Sequence, residues 1–348
     1  MQQAKRITIS VAIATHNGEK FFFEQLESIR HQTVLPDEIV ISDDNSSDGT
    51  LDVVDKALPP QWRKENGVGL TILRNSQALG SGKNFQAAMS ACKSDVIACA
   101  DQDDLWVPEK MAVFSEIFAC NPKALLVHSD AELVDFNGTP MGMTLSRALA
   151  ISPNEFVAMN SGQSLRAIIN RNLVTGATMM VRKDLLELAF PLPREKLHDG
   201  WLALVASLLD AVVFVPQKLL RYRQHDSNQI GVKPLGILDA VVAVQKSWIN
   251  MAAVLKSHNQ DLQDLLERLG DRVSLENKNI VRNYIAYNTW RISLPKSRIF
   301  RVWLVLWGII RGRYARFGRQ PQDVLRDLLM PPYELLLDFC RRLANRKP

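Results

Sequence analysis

Val96-Ile97-Ala98-Cys99-Ala100-Asp101-Gln102-Asp103-Asp104-Leu105-Trp106 is the stretch on which the reading of this chain turns. Five apolar residues in a row read as a strand, and the chain then passes directly into an acidic run. Carboxylates at i and i+2 just past a strand end can reach one hard cation. Such a cation can bridge two phosphates of a nucleotide. The plainer reading is a solvated acidic turn capping the helix that Pro108 opens, and an isolated run of this kind would be read that way. The flanking sequence decides between them.

Upstream, strands and helices alternate. Ile7, Ile9, Val11 and Ile13 alternate with Thr8, Ser10 and Ala12, which predicts a first strand. A helix over about Phe22 to His31 follows, with Pro36 past its end. Ile39-Val40-Ile41 is the second strand, and Asp48 can cap a helix running through Val53-Val54. Leu70 to Leu73 is a third strand. Gly80-Ser81-Gly82 leads into a helix around Phe85 to Ala91, Val96–Ala100 is the fourth strand, and Leu125-Leu126-Val127 the fifth. This alternation predicts an α/β fold with a mostly parallel sheet covered by helices. In such sheets ligands bind beyond the carboxyl ends of the strands. Three polar clusters fall there: Thr15-His16-Asn17, Asp43-Asp44-Asn45 and Asp101-Gln102-Asp103-Asp104. Solubility alone does not explain three such clusters at three strand ends.

Farther along, residues 137–165 read as a longer loop. Strands resume around Leu173 to Val181 and Val212 to Val215, with a helix starting near Asp199-Gly200-Trp201. From about residue 235 the pattern is helical. Charge divides the chain at the same place. Residues 1–232 carry 22 Lys and Arg against 27 Asp and Glu, whereas residues 233–348 carry 20 against 10, so the two parts are expected to meet different partners.

Hydrophobic residues at 47% and charged residues at 23% exclude a disordered chain. Cys92, Cys99, Cys120 and Cys340 form no CxxC pair, which argues against zinc and predicts free buried thiols. The first apolar run stops at His16-Asn17, unlike a signal core, and no run reaches the roughly 18 apolar residues of a membrane span. A cytoplasmic protein is expected.

With these motifs in order, the chain resembles a family 2 glycosyltransferase of the GT-A fold. The resemblance rests on Ala14-Thr15-His16-Asn17-Gly18, Asp43 to Thr50, Asp101 to Trp106, Thr175-Gly176-Ala177, His198-Asp199-Gly200-Trp201 and Tyr222-Arg223-Gln224-His225. It covers about residues 7–230. The Asp-Gln-Asp-Asp-x-Trp form is similar to bacterial transferases that build surface polysaccharides such as O-antigen, including rhamnosyltransferase-like members. The resemblance implies a Rossmann-like sheet over residues 1–232 and a basic helical segment over residues 233–348. It implies an inverting hexosyl- or deoxyhexosyltransferase with a UDP- or dTDP-linked sugar as donor, Mg²⁺ or Mn²⁺ as cofactor, and a glycan or lipid-linked glycan as acceptor.

It also implies roles. Thr15 and Asp44 would hold the donor's base, because a carboxylate can accept from N3–H of uracil or thymine, and Asn17 would contact the donor. Asn45 stands where the family often has Gly. Lys83 and Asn84 would face the donor, or simply begin a solvated helix. Asp103 would be the main metal ligand, Asp101 would hold the sugar or a metal-bound water, and Asp104 would share either role. His225 would complete the metal shell or touch the diphosphate, or be structural. Asp199 falls where relatives carry the base that takes the acceptor's proton; its plainer role is a helix cap. Gly176, His198, Trp106 and Trp201 would line the acceptor site, with core packing the alternative for both tryptophans.

Two other functions fit the sequence less well. A sugar nucleotidyltransferase would favour a Gly-rich phosphate loop and a basic residue after strand one, where Thr15-His16-Asn17-Gly18 stands. A nucleic-acid binder using the basic tail lacks any zinc or RNP signature, so no nucleic acid partner is expected. The tail has another use. Lys296 to Arg319 holds seven Lys and Arg and no acid, around the apolar run Val302–Ile310 with Arg301 and Arg311 on its flanks. Such a segment is too short to span a bilayer but suits peripheral contact with the inner membrane face.

Overall fold

A nine-stranded sheet organises the first unit of the protein, residues 1–232; residues 233–348 form the second. The computed structural model describes residues 6–193, 196–225, 237–295, 297–317 and 322–329, without the side chains of residues 237–250, 322 and 329. The strands are β1 (Ile9–Thr15), β2 (Glu38–Asp43), β3 (Gly69–Arg74), β4 (Val96–Ala100), β5 (Leu105–Trp106), β6 (Leu126–Val134), β7 (Pro140–Thr144), β8 (Met179–Arg182) and β9 (Val212–Arg223). Their order is β3-β2-β1-β4-β8-β6-β9-β5, with β7 beside β6.

The pairs β3-β2, β2-β1 and β1-β4 are parallel. Helices covering both faces require apolar residues on both sides of these strands, and β4 is buried throughout. Phe22, Leu26 and Ile29 of the helix Glu19–Arg30 pack on Ile9, Val11, Ile13, Ile39 and Ile41 in one core cluster. Beyond β4 the sheet becomes mixed. β8 runs antiparallel to β4, with Ala98 opposite Met180, and antiparallel to β6. β9 then runs parallel to β6 and antiparallel to β5. The fifth strand expected from the sequence, now β6, therefore does not extend the parallel series of β1, β2 and β4 by lying next to them. This reversal matters for the site: β8 begins, rather than ends, at the rim where β1, β2 and β4 stop.

The segment expected as a loop, 137–165, is ordered into β7 and the helices Leu145–Ala148, Pro153–Asn160 and Ser164–Ile168. The signal was local. Ser152 accepts from Glu155 N and Glu155 reaches back to Ser152 N, a capping box with Pro153 at the first helical position. The thiols split: Cys92 and Cys99 are free and buried, but Cys120 is exposed, because it ends the helix Lys110–Cys120. Cys340 lies outside the described residues.

The second unit is helical: Ile237–Leu269, Leu275–Ile292, Arg298–Ile310, Arg313–Phe317 and Gln322–Leu329. Its interior holds an ion pair. Arg291 donates from Nε and Nη2 to Asp327 at 2.9 and 2.8 Å, and Tyr314 donates to the same carboxylate at 2.8 Å. Among the described residues no helix is long and apolar enough to cross a membrane.

Candidate active site

The ends of β1, β2, β4 and β9 and the start of β8 meet at one rim of the sheet. The acidic run Asp101–Asp104 leaves β4 there. His225, just past β9, points Nε2 at Asp103 Oδ2, 2.8 Å away. Phe21 stacks on the imidazole with ring centroids 4.9 Å apart, which fixes the ring's plane.

Arg223 holds this turn in shape. Its backbone N–H donates to Asp104 Oδ1 at 3.0 Å, its Nε to Asp103 O at 2.9 Å, and its Nη1 to Phe136 O at 2.6 Å. The remaining nitrogen pairs with Glu24 at 2.6 Å. Asp104 is 1% exposed, and burial, reinforced by Asp103 and Asp101, pushes its carboxyl well above the usual carboxylate range. Its Oδ1 fastens β9 to the turn, and its Oδ2 has no hydrogen-bond partner among the described residues. Burial also raises Asp101, to about 7, with the charges of Asp103 and Asp199 adding to the effect and Lys110 opposing it.

Lys110 is fully buried. It donates to Ala177 O at 2.6 Å and lies 3.8 Å from the centre of the Trp106 ring. Burial lowers its ammonium to about 7, against the attraction of Asp104 and Asp101. Lys110 and Arg223 were not singled out in the sequence. One signal existed: a lysine at the first position of a helix opposes the helix dipole, so something other than the helix holds it there.

On the donor side, two loops interlock. Asn17 and Asn45 both take left-handed backbone, at φ 49° and 61°, which asparagine tolerates, so Asn at position 45 meets the same backbone demand as the Gly that the resemblance leads one to expect there. Asn17 N donates to Ser46 Oγ and Ser47 N donates to Asn17 Oδ1, each at 2.9 Å. Asp44 accepts from Asn75 Nδ2, Leu79 N and Gly80 N at 3.0, 2.7 and 2.9 Å. A carboxylate offers about four lone-pair sites, so one remains for a ligand. Thr15, however, is turned inward at 1% exposure, and its hydroxyl donates to Asp43 at 3.0 Å. Asn84 is likewise buried, bonded to Asn75 and to Thr15 O. Both order the loops through these bonds. Lys83 is exposed at the start of the helix Ser81–Ala91.

The third group lies at the start of β8 and of the helix His198–Leu208. Asp199, in the first turn of that helix, accepts from Gly176 N at 3.2 Å and from Gly200 N. His198 is 5% exposed and stacks on Phe85 at 3.8 Å between centroids. A Cβ on Gly176 would stand 2.6 Å from His198 Nε2, so this close approach requires glycine. Among the described residues neither ring nitrogen of His198 has a hydrogen-bond partner, and burial lowers the imidazole's affinity for a proton. The two tryptophans are packed in the protein. Trp106 is 4% exposed within the main core, and Trp201, 6% exposed, donates to Ala189 O at 2.8 Å.

The donor set fits a hard divalent cation. Asp101 and Asp103 crowd negative charge that Lys110 only partly offsets, and Asp103 with His225 offers an oxygen and a nitrogen side by side. Among the described residues no three His, Cys, Asp or Glu side chains could hold a metal alone. Mg²⁺ in particular is commonly bound by one or two carboxylates together with substrate phosphates.

Comparison with known proteins identifies the family. The family model described as glycosyl transferase family 2 matches residues 10–186. An uncharacterized glycosyltransferase from Nostoc sp. is 25% identical over 89% of this chain and 93% of its own length. A dTDP-rhamnosyl transferase, RfbG of Shigella flexneri, is 24% identical over 84% of this chain and 98% of its own. The crystal structure of TarS from S. aureus shares the fold, with a TM-score of 0.50 and 17% identity over 92% of this chain and 54% of that one. The family match spans half of the sequence and includes the β1, β2 and β4 rims, so this protein is a GT-A-fold glycosyltransferase and belongs to glycosyl transferase family 2.

Proposed function

We propose that this enzyme moves a sugar, with inversion, from a nucleoside-diphosphate sugar to an acceptor hydroxyl, and that it needs Mg²⁺ or Mn²⁺ to do so. The observation that carries the reading is the pairing of Asp103 with His225 at the rim that also holds Asp101 and Asp199. The interlocked Asn17 and Asp44 loops form the base side, where the free lone pair of Asp44 can accept from the N3–H of uracil or thymine. The name of the Shigella relative, a dTDP-rhamnosyl transferase, supports a thymidine-linked donor.

Asp103 and His225 would hold the cation, which would neutralise charge on the departing diphosphate. Asp101, beside them, would orient the donor sugar. Asp199 is fixed by two backbone N–H groups and would take the acceptor's proton as the new bond forms. His198 presents a buried imidazole whose nitrogens lack partners, and an acceptor hydroxyl would supply one. The acceptor proposed is a glycan or lipid-linked glycan of a surface polysaccharide. The names of two relatives support this class: abequosyltransferase RfbV of Salmonella typhimurium, 30% identical over 41% of this chain, and amylovoran biosynthesis glycosyltransferase AmsE of Erwinia amylovora, 33% identical over 37%.

A panel of UDP-, dTDP- and GDP-sugars, screened for binding with Mn²⁺ and with chelator, tests the reading. One or more donors should bind or hydrolyse only with metal. Equal donor binding with and without metal would remove the cation from the mechanism.

A further inference from the structure

The helix Arg298–Ile310 carries apolar residues on both its inner and its exposed face. Its inner face is Arg301, Val305 and Gly308, and Gly308 lies so close to Trp290 that a Cβ would stand 2.5 Å from the indole. The opposite face carries Ile299 at 82% exposure, Trp303 at 63%, Leu306 at 51% and Ile310 at 83%. At 3.6 residues per turn these four side chains fall within about 60° of one another. A surface helix ordinarily turns polar residues outward, and a contiguous exposed apolar patch marks an interaction site.

Charge indicates what covers it. Arg298 and Arg311, both exposed, fall at the two edges of the apolar sector, and the sequence from 296 to 319 contains no acid. Arg301 is not one of these flanking cations. It is 3% exposed and donates to Pro295 O at 2.8 Å, so Arg298 takes the place that the sequence alone gave it. A two-fold contact with a second copy would set arginine edges against arginine edges. We propose that this face docks on an anionic lipid bilayer. Ile299, Trp303, Leu306 and Ile310 enter the acyl boundary, Arg298 and Arg311 meet headgroup phosphates, and the helix lies in the plane of the membrane.

Flotation of the full chain with vesicles tests this. At low salt the protein should float with phosphatidylglycerol-containing vesicles and remain behind with pure phosphatidylcholine. Trp303→Glu with Ile310→Glu should lower partition at least ten-fold, while circular dichroism and thermal melting stay as in wild type, since both positions face solvent. Arg298→Gln and Arg311→Gln should each lower it about five-fold on anionic vesicles. Three results would overturn the proposal: no flotation of wild type on anionic vesicles, unchanged flotation of the Trp303/Ile310 variant, or a lipid-free dimer of wild type that this variant splits into monomers.

Discussion

His225 Nε2 lies 2.8 Å from Asp103 Oδ2, although 122 residues separate the two in the chain. The contact is prepared from three directions: β9 pairs with β5, Arg223 bonds the Asp103 carbonyl, and Phe21 stacks on the imidazole. If the pair holds the cation, its two members should fail in the same way. Asp103→Asn and His225→Ala should each lose metal-dependent donor binding in calorimetry and most turnover. Neither should lower the melting temperature appreciably, because both groups sit at the rim. Wild-type metal dependence in either variant would move the cation elsewhere.

Asp199 acts later in the proposed reaction. Asp199→Asn keeps the helix start but cannot accept a proton, so turnover should fall about 10²- to 10⁴-fold while donor affinity holds. The anomeric configuration of the product, read by NMR, should be inverted relative to the donor. A variant within a few-fold of wild type, or a retained configuration, would contradict this role.

Asp101 couples the site to stability. Its folded-state proton is held up to about pH 7, against an ordinary value of 3.8. Between those values the folded protein binds more protons than the unfolded chain, so stability contributed by the protonated group is lost as pH rises. In chelator, melting temperature should fall more steeply from pH 4 to 7 for wild type than for Asp101→Asn. Parallel profiles would show that Asp101 is not the group responsible.

His198 offers a case where stability and function should separate. Phe can keep the stack on Phe85 and removes two unpaired buried nitrogens, each of which costs about 1–3 kcal/mol. His198→Phe should therefore melt at or above the wild-type temperature, while the acceptor KM rises about 2- to 10-fold. An unchanged KM would make His198 a packing residue.

In the second unit, Asp327→Ala leaves the buried Arg291 guanidinium with Asp323, 3.3 Å away, and takes the acceptor from Tyr314, so chemical denaturation should show a loss of about 1–3 kcal/mol.

Much of the sheet was legible because strand periodicity and strand-end chemistry are local. β4 fell at Val96–Ala100, as its apolar run indicates, and the acidic turn follows it directly. Lys110 and Arg223 were not legible in the same way. Lys110 is defined by a carbonyl 67 residues away, and Arg223 by partners up to 199 residues away. The inward turn of Thr15 and Asn84 has the same origin: each is a polar residue at a strand end or helix start, and only tertiary packing decides whether it faces ligand or loop. The aromatic residues after the motifs read equally well as sugar platforms or core, and both are buried in the structure.

The antiparallel entry of β8 beside β4 has a consequence for how such an enzyme changes its chemistry. Because β8 starts where β4 stops, the proposed donor pocket is encoded up to residue 106, apart from His225, and the proposed acceptor wall around residues 175–201. The two specificities are thus written in separate stretches of sequence that meet only after folding. Exchange of the later stretch between relatives can install a new acceptor without rewriting the recognition of the old donor, which gives recombination a seam along which to work.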